Sequence, residues 1–236
     1  MITSSKAIDK LLFQYTHLPI FKKQVKCPYW MDKIKKKIWG PYGGKGSPQE
    51  LVRATLEVGA KKKINLAKLT SQQIRVFMKK NRIGLDCSGL AFKLLNTLDK
   101  EKGGNGLEDD IPGVKGKFLL RANVMMLTND EVSLPIKKLR DLAVGDLIRL
   151  GEGKHLAVIV EIKRGSKGQI KEIVYAHSSP GTVPDGVHKA RILIKDGNYG
   201  LEAQKWLERT KKGENYGQKF FKPEKGDGIR RLRIWT

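Results

Sequence analysis

The chain has 236 residues, 39% of them hydrophobic, enough to bury one core of ordinary size and too apolar for a disordered segment. Its 47 Lys and Arg against 24 Asp and Glu leave a net charge of +23, which draws nucleic acid, anionic wall polymer or acidic lipid at long range but specifies no site. No apolar run approaches the roughly 18 residues that cross a bilayer, and the first ten residues lack a signal-peptide core, so a cytoplasmic monomer is expected, with export by another route left open.

Residues 1–46 read as a basic, aromatic-bearing extension that ends in the glycine cluster at 40–46, a loop because glycine breaks regular structure. GxxxxGK followed by Ser or Thr is absent, so this loop is not read as a phosphate cradle. Residues 47–236 are expected to form the main domain. Ser47, Pro48 and Glu50 give a capping box for a helix to about Ala60, and Thr70 with Gln73 repeats it for a helix carrying Ile74, Phe77 and Met78 on one face. After Gly84, the text Asp86-Cys87-Ser88-Gly89-Leu90 leads into Ala91, Leu94, Leu95 and Leu98 at helical spacing, so Cys87 should open a buried helix. Residues 100–117 are rich in glycine and charge and read as a loop. Five short β-branched runs follow, at 146–150, 156–162, 170–176, 187–194 and 229–235, and read as an antiparallel meander. Helices first and strands afterwards predict an α+β fold with segregated layers.

The chemistry centres on Cys87. A helix N-terminus favours the thiolate, so its pKa is expected to lie below the ordinary value. Attack on an amide also needs a base held by a third polar group. His155 heads one strand, from whose edge its imidazole should project towards a packed helix, His177 ends the next, and a hairpin would bring the two histidines together. Asn198 or Asp196 could orient His155 instead. Cys27 reads as structural, and His17 and His188 as surface or core residues. The two cysteines and four histidines show no CxxC, HxxxH or HxH spacing, so neither a metal nor another cofactor is expected. No RNP motif, zinc finger or helix-turn-helix accompanies the basic charge.

Four motifs in order, Asp86-Cys87-Ser88-Gly89-Leu90, Val144-Gly145-Asp146-Leu147-Ile148, His155 heading an apolar strand, and Tyr175-Ala176-His177-Ser178-Ser179, resemble those of the NlpC/p60 family of papain-like cysteine peptidases over about residues 84–194. The resemblance implies a papain-like NlpC-type fold in which Cys87 attacks an amide, His155 is its base and His177 orients the ring. It also implies an oxyanion site built from the nucleophile's backbone amide and an upstream tyrosine, here Tyr29 in preference to Tyr42, with Asp86 and Ser88 on the substrate side. The family's tyrosine lies closer to its cysteine than either of these. A thiol hydrolase acting on peptides or peptidoglycan-like crosslinks is therefore expected. The alternatives are an acyltransferase on the same fold, or a basic module binding nucleic acid or wall polymer with a vestigial thiol.

Overall fold

In the computed structural model, which describes residues 1–111, 122–183 and 185–236, helices start where polar caps stand ahead of apolar-periodic text. Capping boxes close on α2 (Pro48–Lys61) through Ser47 and Glu50 and on α3 (Ser71–Lys80) through Thr70 and Gln73, as the sequence predicts. Asp86 caps α4 (Cys87–Glu101), accepting a hydrogen bond from the Gly89 amide, and Leu90, Ala91, Leu94, Leu95 and Leu98 are buried. Each buried leucine contributes about 1.5–3 kcal/mol of transfer free energy, so its own apolar side chains hold α4 in the core. Shorter helices are α1 (Lys6–Thr16), α5 (Val124–Thr128) and α6 (Tyr216–Phe220). The loop expected over residues 100–117 begins only after Glu101, and its part beyond 111 lies outside the described residues.

The main sheet is antiparallel, in the order β4 (Ser133–Ile136), β10 (Gly228–Leu232), β5 (Leu147–Leu150), β6 (His155–Arg164), β7 (Ile170–Ser179), β8 (Gly186–Leu193) and β9 (Lys205–Trp206). In addition, β1 (Ile2–Ser4) pairs with the far part of β6, while β2 (Leu18–Ile20) and β3 (Lys23–Val25) make a separate pair. The stretch β5 to β8 is the meander that the alternating text predicts. The strand at 229–235 is not its continuation: β10 stops at Leu232 and inserts between β4 and β5, with Ile229 opposite Ile136 on one side and Ile148 on the other. The fold is α+β, and no helix among the described residues is long and apolar enough to cross a membrane.

Residues 1–46, expected as an extension, are packed into the body. Besides β1, they contribute Ile8, Leu12, Tyr15, Leu18, Ile20, Val25 and Cys27 to the same core cluster as α4. The apolar spacing of these residues, diluted by lysines, gives them the look of a tail in the sequence although every one is buried.

Side chains alternate across the sheet. Leu156, Val158, Val174, Ala176 and Val187 join the cluster that contains α4, whereas Ala157, Ile159, Ile173, Tyr175 and Ile192 join a second cluster with Trp206, Tyr216 and Phe221. By this alternation His155, His177 and His188 belong to the second face. The expected projection of His155 towards the packed helix is thereby corrected, because the imidazole leaves the strand on the face opposite to the residues that meet α4.

Candidate active site

Cys87 is the first residue of α4, and three pieces of chain fix its approach. Leu85 forms a bridge with Tyr29 on one side and with Lys45 on the other, and its carbonyl accepts from the Ser178 hydroxyl at 2.7 Å. Glycine is required at this crossing: a Cβ on Gly89 would lie 2.4 Å from the Gly44 carbonyl, and one on Gly84 would lie 2.5 Å from that of Pro28. Two segments of the supposed extension therefore position the thiol.

Asp86 and Ser88 are engaged in this framework rather than facing a substrate. Lys45 Nζ donates to both carboxylate oxygens of Asp86 at 2.6 Å and to Ser88 Oγ at 2.7 Å, and Ser88 in turn reaches the Ala122 carbonyl at 3.0 Å. Both members of the ion pair are buried, and removing one partner of such a pair costs about 3–5 kcal/mol because the other charge is left alone. The substrate-side expectation for Asp86 and Ser88 gives way to a structural one: together with Lys45 they lock the start of the helix.

Burial, and next the negative charge of Asp86, push the Cys87 thiol up to about 11; Lys45 and the amides of Leu156 and Ser88 oppose this. The expectation of a lowered thiol pKa is corrected. The helix N-terminus does favour the anion, but the same terminus is capped by a carboxylate in the adjacent residue, and the sulfur is enclosed. Burial, and then His177, push His155 down to about 3, with Glu208 opposing. At neutral pH the pair therefore rests as thiol and neutral imidazole. Carbamidomethylation of Cys87 by iodoacetamide should be slow at neutral pH and climb about tenfold per pH unit from pH 6 to pH 10, because only the thiolate reacts, read by mass spectrometry of the labelled peptide. A plateau reached by pH 7 would contradict the raised thiol. Cys27, enclosed more completely and raised further by burial, should label only on unfolding.

The sulfur meets the sheet at the backbone of Leu156, one residue from His155. His155 and Cys87 share no hydrogen bond at rest. His155 Nε2 instead lies 2.8 Å from His177 Nδ1, so the hairpin brings these two together as the sequence predicts. Asp196 and Asn198 are bonded to one another in the segment after β8 and take no part. His177 Nε2 lies 2.9 Å from Glu208 Oε1, and Glu208 Oε2 accepts the Tyr175 hydroxyl. Burial would raise Glu208, but His177 and His188 outweigh it and hold the carboxyl well below the usual range. His177 is lowered by its burial and is the neutral member of the contact.

The donor directions follow from that carboxylate. Ionised Glu208 is an acceptor only, so His177 carries its hydrogen on Nε2 and offers the Nδ1 lone pair to His155. His155 then carries its hydrogen on Nε2, which leaves the lone pair on Nδ1. That is the tautomer a base for Cys87 requires.

Two tyrosines flank the thiol. Tyr29, bridged to Leu85, is raised by burial and next by Cys87, and Tyr216, the first residue of α6, by burial and next by Glu208, with Cys87 a smaller influence, so both keep their hydroxyl protons. Tyr216 also stands edge-on to His177, with 5.3 Å between ring centroids. Tyr42 is held elsewhere, its hydroxyl accepting from Arg53 at 2.7 Å. Glu208, Tyr216 and Lys45 are the site residues that sequence reasoning missed. They stand in no motif, and only the fold brings them to Cys87 and the histidines. His188, read as surface or core, stands opposite His177 in the β7–β8 register and joins the network through Glu208 at 2.8 Å. Although local spacing argued against a metal, the donor atoms of His177, His188 and Glu208 lie within 4.8 Å of one another. His17 is exposed and stacks on Phe13.

Comparison with protein-family models, with curated proteins and with solved structures gives no match for this chain.

Proposed function

We propose that this protein is a thiol hydrolase of the papain-like NlpC type that cleaves an amide bond in a peptide or peptidoglycan-like substrate. The observation that carries the reading is the directed chain Glu208–His177–His155, which ends with a lone pair on the nitrogen of the residue next to the Leu156 amide, where the Cys87 sulfur sits. The sulfur attacks the carbonyl carbon as its proton passes to His155 Nδ1, because neither group is charged beforehand. The tetrahedral oxyanion takes hydrogen bonds from the Cys87 amide and a tyrosine hydroxyl, Tyr29 or Tyr216. Collapse breaks the C–N bond, the proton on His155 goes to the leaving amine, and a thioester remains on Cys87. Water, deprotonated by His155, then releases the carboxylic acid and restores the thiol. Cys87 and His155 share no resting hydrogen bond, and His155 leaves β6 on the face opposite to the residues that meet α4, so in this reading the imidazole turns towards the sulfur when substrate binds. The experiment is incubation with peptidoglycan fragments and detection of new amino termini, which should appear with the parent chain and not with Cys87→Ala.

A second reading has one observation in its favour. A buried, protonated thiol on a chain of charge +23 also fits a basic polyanion-binding module with a vestigial site. Binding to wall sacculi or DNA should weaken steeply between 50 and 300 mM salt if several phosphates or carboxylates are neutralised, since counterion release drives such association. Affinity that holds constant across that range, measured by co-sedimentation or filter binding, removes the polyanion role.

A further inference from the structure

His188 poses a hydrogen-bond problem that the proposed hydrolase does not solve. Its Nδ1 lies 2.8 Å from the Gly186 carbonyl and therefore carries the hydrogen. A neutral ring then turns the Nε2 lone pair towards Glu208 Oε1 at 2.8 Å and towards His177 Nε2 at 3.0 Å. A lone pair facing a carboxylate oxygen at that distance is satisfied only if a cation, a proton or a metal, stands between them. The three atoms form a triangle with sides of 2.8, 2.9 and 3.0 Å, all buried.

We propose that His177 Nε2, His188 Nε2 and Glu208 Oε1 bind one divalent transition-metal ion of the zinc class. Two imidazoles and a carboxylate are donors of the right kind for that class, and a bound water would complete a four-coordinate set. At about 2.0–2.1 Å from a metal, tetrahedral donors stand about 3.3 Å apart, so the triangle must open by roughly 0.4 Å. The outer contacts are those of a metal ligand set: the Gly186 carbonyl fixes His188 with Nε2 turned inward, and the Tyr175 hydroxyl holds the other oxygen of Glu208. His188 and Glu208 also line a surface cavity with Glu161, Lys163, Lys189 and Arg191, so an ion would reach the site through a mouth of mixed charge.

The consequence for catalysis rests on the thiol hydrolase reading. A metal on His177 Nε2 places that ring's hydrogen on Nδ1, from where it donates to His155 Nε2. The hydrogen of His155 then sits on Nδ1, and the ring cannot accept a proton from Cys87. Metal occupancy and hydrolysis exclude one another, which makes the ion an inhibitor rather than a cofactor.

The test titrates the chelator-stripped full chain with Co²⁺ and follows the visible d–d absorption. One saturable equivalent, displaced by Zn²⁺, without a near-ultraviolet thiolate-to-cobalt band is expected, and affinity should fall at least tenfold in both His188→Ala and Glu208→Gln, with far-ultraviolet circular dichroism reporting that each variant folds. Absence of one-to-one binding, a thiolate band, or unchanged affinity in the folded variants overturns the site. Zn²⁺ should then inhibit parent hydrolysis with the midpoint of binding. Full activity at saturating Zn²⁺ overturns the exclusion while leaving the site, whereas a metal-free chain that binds Co²⁺ as expected and cleaves nothing refutes the hydrolase reading alone.

Discussion

Cys87→Ala is expected to lower turnover on peptidoglycan-derived peptides by roughly 10⁴–10⁶-fold, the scale on which a covalent mechanism fails when its nucleophile is removed. No other described thiol can substitute, since Cys27 is fully buried and its sulfur points to the Pro28 carbonyl at 3.5 Å. The fold should survive, because alanine suits the first turn of α4 and the lock of Lys45, Asp86 and Ser88 is untouched. A thermal melt within a few degrees of the parent, together with loss of product by mass spectrometry, is the expected pair of results. Activity retained within tenfold would mean that the chemistry lies elsewhere.

His155→Ala should cost nearly as much, and His177→Ala less, because the second histidine acts only through the first. Without the base the thiol has no proton acceptor, and a group raised to about 11 supplies almost no thiolate at neutral pH. The parent should hold a flat rate between about pH 5 and 9, since His155 is lowered to about 3 and the thiol raised to about 11, leaving both groups neutral throughout. Activity falls on the acid side only when His155 gains its proton. In His155→Ala, by contrast, residual activity should rise tenfold per pH unit up to the thiol's own pKa, because only preformed thiolate can attack. A bell centred below pH 7 in the parent would instead mean that a charged pair of thiolate and imidazolium is the resting state.

The parts of this arrangement visible in the sequence are those with local causes. Ser47 with Glu50 and Thr70 with Gln73 announce their helices because a cap and its reciprocal partner stand three residues apart. The run from Leu90 to Leu98 announces α4 by its period, and the hairpin of β6 and β7 follows from two apolar runs around a glycine turn. The rest depends on chain pieces far apart. The place of β10 between β4 and β5 and the return of β1 to β6 are pairings across about 100 and 160 residues, for which no local period exists. Strands of two or three residues, such as β1, β3 and β9, are too short to alternate visibly. The partnership of His177 with His188 needs the exact register of β7 and β8 across residues 180–185, and one residue of slip would separate them. The sign of the shift at Cys87 could have been drawn from the text, since Asp86 precedes it; what the text could not show is how completely the sulfur is enclosed.

The order in which the site is completed during synthesis follows from where its parts lie in the chain. The helix that carries the nucleophile ends at Glu101, yet Glu208, which sets the direction of the histidine chain, and Tyr216 are made more than a hundred residues later. At about 5–20 residues per second, the ribosome needs on the order of 5–20 s to cover that interval. Through it, a nascent chain holds a thiol and then an imidazole without the carboxylate that makes the imidazole a base. On the thiol hydrolase reading proposed above, a chain assembled in this order stays inert towards its own unfolded segments and its neighbours on the polysome, and becomes competent only when the segment after β9 closes over the sheet.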